Sequence, residues 1–458
     1  MDLNRYMIIS KKVLETLRTW NRQQSGELLA RLGVSRPSLM RAILELKGQV
    51  ISRGRARRTV YAARRAIRGS LAPIPLYYVD ESGVTHECGL LEPIYPSGCA
   101  WSLTEKFPWP LDDEMSDGWF RGFPYLLGDM KPQGFLGRNF AHQFASILQV
   151  DEAVNRWNED DVLHVLSVLG WDQPGNFILG EQALRRFLAE QQLGSQFLDD
   201  EEIEIEYPKR ALQALNFGVA DSSAAGEFPK FTARRQRGVR THVIVKFSGA
   251  DDSPHECRWA DLLVCEHLAI NTIADTLHLS AAQSRIFQFG GRTFYEVDRF
   301  DRHGEFGRSG VCSWYEMNAA LFGGTGSWSD GADELLAADY ISENIAQQIK
   351  LLEHFGRLIG NSDMHDGNLA FLPDMSLAPA YDMLPMMYAP QRGVEIVERQ
   401  FNPPLPLPKE RQAWGRAAEA ALVFWHRVEG DARISIQFRD IAKSNAEQVS
   451  RLLSIHCG

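Results

Sequence analysis

Residues 360–368 read Gly-Asn-Ser-Asp-Met-His-Asp-Gly-Asn, directly after a stretch in which Ile345, Ile349, Leu352, Phe355 and Ile359 recur at three- and four-residue spacing. The spacing predicts an amphipathic helix over 342–359 that ends in a polar loop. Within the loop Asp363 precedes Asn368 by five residues. Phosphoryl transfer uses such a pair: the carboxylate accepts or positions the attacking hydroxyl, and the amide oxygen helps hold magnesium. An apolar strand is expected over Leu369–Leu372, and Asp382 then lies fourteen residues beyond Asn368, in Ala380-Tyr381-Asp382-Met383. Three oxygen donors around a hard cation make a coherent site. Turn chemistry alone accounts for Asn, Asp or Gly taken singly, whereas the ordered set points to chemistry.

Upstream, Val243-Ile244-Val245-Lys246-Phe247 puts one lysine inside an apolar strand. A buried lysine needs a partner; nucleotide phosphates and an acid on the next helix, Asp261 or Glu266, would supply it. An edge lysine reaching solvent is the structural alternative. Residues 220–230 read Ala-Asp-Ser-Ser-Ala-Ala-Gly-Glu-Phe-Pro-Lys. This small-residue loop, with Gly226 and a terminal Lys230, could let backbone N–H groups approach phosphate.

The 458 residues suggest about three domains at roughly 150 residues each. With 44% apolar and 24% charged residues, the composition excludes disordered, collagen-like and coiled-coil classes. The six cysteines (Cys88, Cys99, Cys257, Cys265, Cys312, Cys457) show no paired spacing, so they read as reduced cytosolic thiols and not as a zinc ribbon or disulfide framework. No signal-peptide pattern opens the chain and no apolar run approaches 18 residues, so a cytoplasmic protein without a membrane partner is expected. Charge is unevenly divided: residues 1–70 carry 16 Lys+Arg against 4 Asp+Glu, or +12, and the rest carries 33 against 55, or −22. A basic segment of that density is the electrostatic footprint of nucleic-acid binding.

In the basic segment, Val13, Leu14, Leu17 and Trp20 form one helical stripe. Ser25 is expected to cap a second helix that Gly33 stops, and Ser35 a third with Pro37 in its first turn. On the third helix Leu39, Ala42, Ile43 and Leu46 face inward, and Arg36, Ser38, Arg41 and Glu45 outward, the pattern of a recognition helix. Val50–Ala63 then reads as a hairpin whose tip carries Arg53, Arg55, Arg57 and Arg58. The segment resembles a winged helix-turn-helix domain, with Ser38 and Arg41 as base readers and the four arginines on phosphates of duplex DNA. A small helical subdomain with a solvated basic face is the alternative.

The body opens with a hairpin expected over 75–91 that turns at Glu81, Ser82 and Gly83. Helices broken at Pro174, Gly175 and Asn176 follow, with strands at 241–248 and 292–300. The Pro-rich 402–408 is read as separating two final helical segments. Strands early and helices late predict an α+β body of two lobes.

The ordered blocks Gln133-Gly134-Phe135-Leu136-Gly137-Arg138, Ser223-x-Ala225-Gly226-x-x-x-Lys230, Lys246, Val297-Asp298-Arg299-Phe300-Asp301-Arg302, Asn361-x-Asp363-x-His365-x-x-Asn368 and Tyr381-Asp382 resemble the HipA-like serine/threonine kinases of bacterial toxin–antitoxin systems. The resemblance covers most of residues 75–395 and implies a two-lobed, protein-kinase-like fold. The expected division is a DNA-binding domain at 1–70, an N-terminal lobe with a helical insert at 75–300 and a helical C-terminal lobe at 301–458. It further implies ATP and Mg2+, Asp363 as catalytic base, Asn368 and Asp382 as magnesium ligands, and Lys246 and His365 at the nucleotide. Asp298 and Phe300 would stand where hinge backbone holds adenine, and Ser223 would be the self-phosphorylated residue. A protein Ser/Thr substrate, growth inhibition and a possible antitoxin partner come with the family. Two departures stand out: Glu227-Phe228-Pro229 replaces the usual Ala-Gln-Glu, and Leu262 stands where the helix acid is expected. A nucleotide-sensing DNA-binding regulator and a magnesium-dependent DNA-cleaving toxin are the rival readings.

Overall fold

In the computed structural model, the described residues are all but Met1, 55–58, 104–107, 218–226, Thr325, 392–395, 397–398 and 457–458. Arg55, Arg57, Arg58, Ser223 and Gly226 therefore lie outside the described residues. The chain opens with α1 (Asp2–Trp20), β1 (Gln23–Gln24), α2 (Ser25–Leu32), α3 (Arg36–Glu45), β2 (Val50–Arg53) and β3 (Val60–Ala63). The three strands pair antiparallel in the order β1-β3-β2. Val13, Leu17, Leu28, Leu39 and Ala42 fill the space between the helices. Ser35 caps α3 as expected. Ser25, however, is the first residue of α2: Gln24 precedes it, and the Gln24 N–H donates to Glu27 Oε2 at 2.6 Å. Trp20 is turned outward and lies under the Arg31 guanidinium, 4.2 Å from the ring centroid.

The hairpin strands do not stand free. Ile51 and Ala62 pack with Ile94, Ala100 and Trp119 of the following sheet, and the Arg65 and Tyr95 N–H groups donate to the carbonyls of Pro93 and Ala63 at 2.8 and 2.9 Å. Arg53 is corrected by this packing. Its guanidinium is mostly buried against Glu92 (3.3 Å), Ser102 Oγ (2.9 Å) and the carbonyls of Trp101 and Gly118, so it faces the following sheet and not the solvent expected of a hairpin tip. Arg64 also reaches Glu92, Arg65 pairs with Glu159 and Asp160, Arg68 with Asp161, and Arg22 with Glu114.

The second unit has β4 (Ile74–Val79), β5 (Thr85–Pro93), β6 (Cys99–Leu103), α4 (Asp113–Ser116), β7 (Trp119–Phe120), α5 (Gly134–Leu148), α6 (Glu159–Leu169), β8 (Phe177–Leu179) and α7 (Gly180–Leu193). Its antiparallel sheet runs β7-β6-β5-β4-β8. The first hairpin turns at Asp80–Gly83, where Asp80 Oδ1 accepts from the Ser82 and Val84 N–H groups. A separate antiparallel sheet, β11-β12-β10-β9, is built from β9 (Lys230–Arg237), β10 (Val239–Phe247), β11 (Ser284–Phe289) and β12 (Arg292–Asp298). One face of that sheet is covered by α8 (Ile203–Phe217) and the other by α9 (Pro254–Thr272).

After short pairings of β13 (Arg302–His303) with β14 (Gly307–Arg308), β15 (Cys312–Ser313) leads into the helices α10 (Trp314–Leu321), α11 (Trp328–Ala337) and α12 (Glu343–Leu358). The strand expected after the polar loop is β16 (Ala370–Phe371), paired with β15. The Pro-rich 402–408 precedes both final helices, α13 (Arg411–Gly430) and α14 (Ile436–His456), instead of separating them. Buried Ala417, Ala418, Ala420 and Ala421 let α13 approach its neighbours closely. Among the described residues no helix is long and apolar enough to cross a membrane.

The second unit and the four-stranded sheet are joined by buried charge. Asp301 accepts from Arg299 Nη2 (2.9 Å), Arg302 Nη1 (2.5 Å) and the Gly175 N–H (2.9 Å). Burial opposes ionisation there, yet the two guanidinium groups hold the Asp301 carboxyl well below the usual range. Asp301→Ala would leave Asp172 as the carboxylate facing two buried arginines, and a loss of about 3–5 kcal/mol is expected, read as a lower urea midpoint. Because the folded value is depressed, wild-type stability from this group should be present above about pH 4 and lost as pH falls.

Candidate functional site

Strand alternation sends Val243, Val245 and Phe247 of β10 into the core beneath α8, and Ile244 and Lys246 toward the helical lobe. Lys246 is 7% exposed. Its Nζ lies 2.8 Å from both Glu266 carboxylate oxygens and 2.7 Å from Asp382 Oδ1. Burial alone would lower the lysine, but Asp382 and Glu266 raise it above its ordinary value. Burial likewise opposes the Asp382 charge, while Lys246, Lys230 and His365 hold that carboxyl below the usual range. Glu266 goes the other way: burial raises it, and Lys246 offsets only part of that.

Glu266 is the acid that α9 presents. Leu262, one turn earlier on that face, is fully buried, so the carboxylate enters one turn later than the family register suggests. Asp261 is excluded as the partner, since it accepts from the Ser435 N–H and Oγ at 2.7 and 2.6 Å and ties down the approach to α14.

The loop after α12 is held by its own side chains. Asn361 Oδ1 accepts from the Asp363 N–H (3.0 Å), and Asn368 Nδ2 donates to the Asp363 carbonyl (2.9 Å). Tyr381 Oη donates to the Gly367 carbonyl (2.7 Å), and Asn318 Nδ2 to Asp366 Oδ2 (2.8 Å). The Asp363 carboxylate is left exposed, at the edge of a cavity of about 410 Å³ lined by Trp328, Arg357, Ser362 and His365. Asp382 adopts a left-handed backbone (φ 55°), and the Asn361 amide reaches its carbonyl at 3.5 Å. The Phe300 ring lies 5.7 Å from that of Tyr381, and the Asp298 carboxylate is bound by Arg237. Lys246 and Asp382 are thus brought together, while Asp363 and His365 line the neighbouring loop's cavity. Asn318 supports the site without having been named in the sequence, and Asn361 and Tyr381, named there only as parts of the family blocks, prove to brace the loop. Glu227 carried a signal as a departure from the family pattern, whereas nothing in the local sequence marked Asn318.

Comparison with known proteins gives two family matches: the YjjJ-like toxin middle domain over residues 70–188 and the HipA-like C-terminal domain over 222–450. Toxin YjjJ of Escherichia coli (strain K12) is 33% identical over 436 residues, spanning 94% of this chain and 95% of that protein. A chain from the Shewanella oneidensis MR-1 toxin–antitoxin complex of HipA, HipB and operator DNA superposes with a TM-score of 0.56 at 16% identity, covering 84% of this chain and 97% of that one. At that identity the likeness concerns the fold, which is the α+β HipA-like one.

Lys246→Met should leave Glu266 and Asp382 facing each other without the ammonium they share, at a cost of about 3–5 kcal/mol near neutral pH. Burial, which already raises Glu266 in the wild type, would then act without the opposing lysine, and stability from a group so raised is lost as pH rises through the folded value. The melting temperature of the variant should therefore climb between pH 7 and pH 5. A decline parallel to wild type would show that the two carboxylates do not depend on this lysine.

Proposed function

The chain belongs to the HipA-like toxin family, and from that membership and the geometry of its cleft we propose that it is an ATP- and Mg2+-dependent serine/threonine protein kinase with a DNA-binding head. The observation that carries the reading is Lys246 held between Glu266 and Asp382. A strand lysine paired with a helix glutamate and facing a carboxylate beyond the catalytic loop is the arrangement that positions nucleotide phosphates in protein kinases.

In this reading Glu266 fixes Lys246, and phosphate oxygens replace Asp382 on the ammonium. Phe300 and the backbone near Asp298 border the adenine, and His365 lies beside the nucleotide. The donor set fits magnesium. The Asn368 amide nitrogen is taken by the Asp363 carbonyl, which turns its oxygen the other way, and Asp382 is kept ionised; hard oxygen donors of this kind, completed by phosphate and water, suit Mg2+. Held by Asn368 and Asp382, magnesium would supply positive charge to offset that of the phosphates. Asp363 takes the proton of the incoming Ser/Thr hydroxyl as its oxygen bonds to the γ-phosphorus and the bond to ADP breaks. Ser223 is proposed as a self-phosphorylated residue, with residues 75–300 and 301–458 forming the two lobes and the cytoplasm as the compartment.

Three helices and a hairpin support a winged-helix reading of residues 1–70. With Arg53 committed to docking, the DNA-facing surface is assigned to the exposed Arg36, Arg41 and Lys47 of and beside α3. The Ser38 hydroxyl bonds Ser35 Oγ at 2.9 Å, and Arg41, on the exposed stripe of α3, is proposed as the principal base reader. A HipB-like antitoxin partner is proposed by analogy with the Shewanella complex.

Transfer of labelled γ-phosphate to protein tests the kinase reading. Asp363→Ala should lose about 10²–10⁴-fold in rate while retaining Mg2+-ATP affinity, and Asp382→Ala should lose both. Phosphate should appear on Ser223 by mass spectrometry in wild type and not in Asp363→Ala. Full transfer by Asp363→Ala would exclude the assigned base.

For the head, Arg41→Ala should weaken specific duplex binding by about 1–3 kcal/mol and relax sequence preference. Arg53→Ala should instead lower the melting temperature. Reversal of these two phenotypes in a gel-shift and melting comparison would exclude the assigned surface.

A further inference from the structure

Lys230 and Lys246 are direct cross-strand partners on β9 and β10, and so share one face of the sheet. Like charges directly opposite each other repel, and each lysine here has its own acid. Lys246 has Glu266 and Asp382; Lys230 has Glu227, with Nζ 2.9 Å from Oε1. Lys230 also stands within electrostatic reach of the cleft, since it helps hold Asp382 ionised.

Glu227 is firmly placed. Its carboxylate accepts from the Phe135 N–H in the first turn of α5 (3.0 Å) and from Arg138 Nη2 (3.0 Å). Gly134 makes the approach possible: it has φ 60°, and a Cβ there would come within 2.8 Å of Glu227 Oε1. The adjacent Phe228 is buried, its ring 4.6 Å from that of Trp259. The carboxylate therefore cannot swing away without breaking contacts to α5.

We infer that Glu227 is a resident counter-ion of the nucleotide cleft, occupying Lys230 in the place that a phosphate group would otherwise take and so limiting affinity for phosphate-bearing ligands. The inference rests on the nucleotide-binding reading above. Phosphate oxygens and Glu227 compete for one ammonium, and the carboxylate repels them as well. Both effects have the same sign, so removing the charge tightens binding.

The test is calorimetric titration of the full chain, in Mg2+, with ADP, inorganic pyrophosphate and adenosine. Glu227→Gln, which can still accept from Phe135, should bind ADP and pyrophosphate about three- to fivefold more tightly, the range of one partly exposed ion pair. Adenosine affinity should not change, and the gain should shrink to the part due to direct repulsion when Lys230→Gln is added. Unchanged or weaker ADP binding by Glu227→Gln, or an equal gain in the Lys230→Gln background, would overturn the inference while leaving the nucleotide reading standing. Wild-type protein that binds neither ADP nor adenosine would remove that reading itself, and the inference with it. If Glu227→Gln does not fold, Glu227→Asp, with its charge drawn back from Lys230 by one methylene, must shift ADP affinity in the same direction.

Discussion

A single buried ammonium group organises the half of this molecule that matches the HipA-like C-terminal domain. Lys246 lies on the inner face of a sheet, where an unpaired charge would be costly, and its two carboxylate partners come from different places in the chain. Glu266 comes from α9, and Asp382 from the segment beyond β16. Satisfying one lysine therefore fixes a strand, a helix and the helical lobe in mutual register. The left-handed backbone of Asp382 and the Asn361 amide on its carbonyl carry that constraint back to the loop of Asp363 and Asn368. Tyr381 extends it to Gly367 on one side and Phe300 on the other.

A second set of charges determines how the head sits. The excess of basic residues before residue 70 suggests one purpose, yet several of those arginines neutralise the acidic unit that follows. Arg53 and Arg64 converge on Glu92, Arg65 meets Glu159 and Asp160, and Arg68 meets Asp161. The ion pairs surround the apolar contact of Ile51 and Ala62 with Ile94, Ala100 and Trp119. The charge asymmetry thus has two causes: docking uses the arginines of the hairpin strands and their continuation, and α3 keeps Arg36 and Arg41 exposed.

Features set by local periodicity were legible in the sequence. Ile349, Leu352 and Phe355 of the predicted stripe became the buried face of α12, with Ile359 buried just beyond its end, and the alternation around Lys246 placed it on an inner sheet face. Choosing between Asp261 and Glu266 required knowing which face of α9 meets the sheet. Five residues correspond to a rotation of about 140°, so the two acids cannot serve one site, whereas Leu262 and Glu266 are only about 40° apart. Arg53 carried an unread signal, because it shares strand parity with Ile51 and so follows it to the buried face. Ser25 lost its capping role to a neighbour one residue earlier, a shift that propensity cannot resolve. Contacts between distant segments, such as Glu227 with Phe135 and Arg138 or Asp301 with Gly175, leave no local pattern to read.

The central claim is that the Lys246 cluster receives nucleotide phosphate. A crystal structure of the full chain with Mg2+ and a non-hydrolysable ATP analogue tests it most directly. The account predicts phosphate oxygens on Lys246, the Glu266 pair retained, the direct contact between Lys246 and Asp382 opened, and Asp382 turned with Asn368 toward the metal. An analogue bound elsewhere, or one bound in the cleft with Lys246 still closed on Asp382, would contradict it.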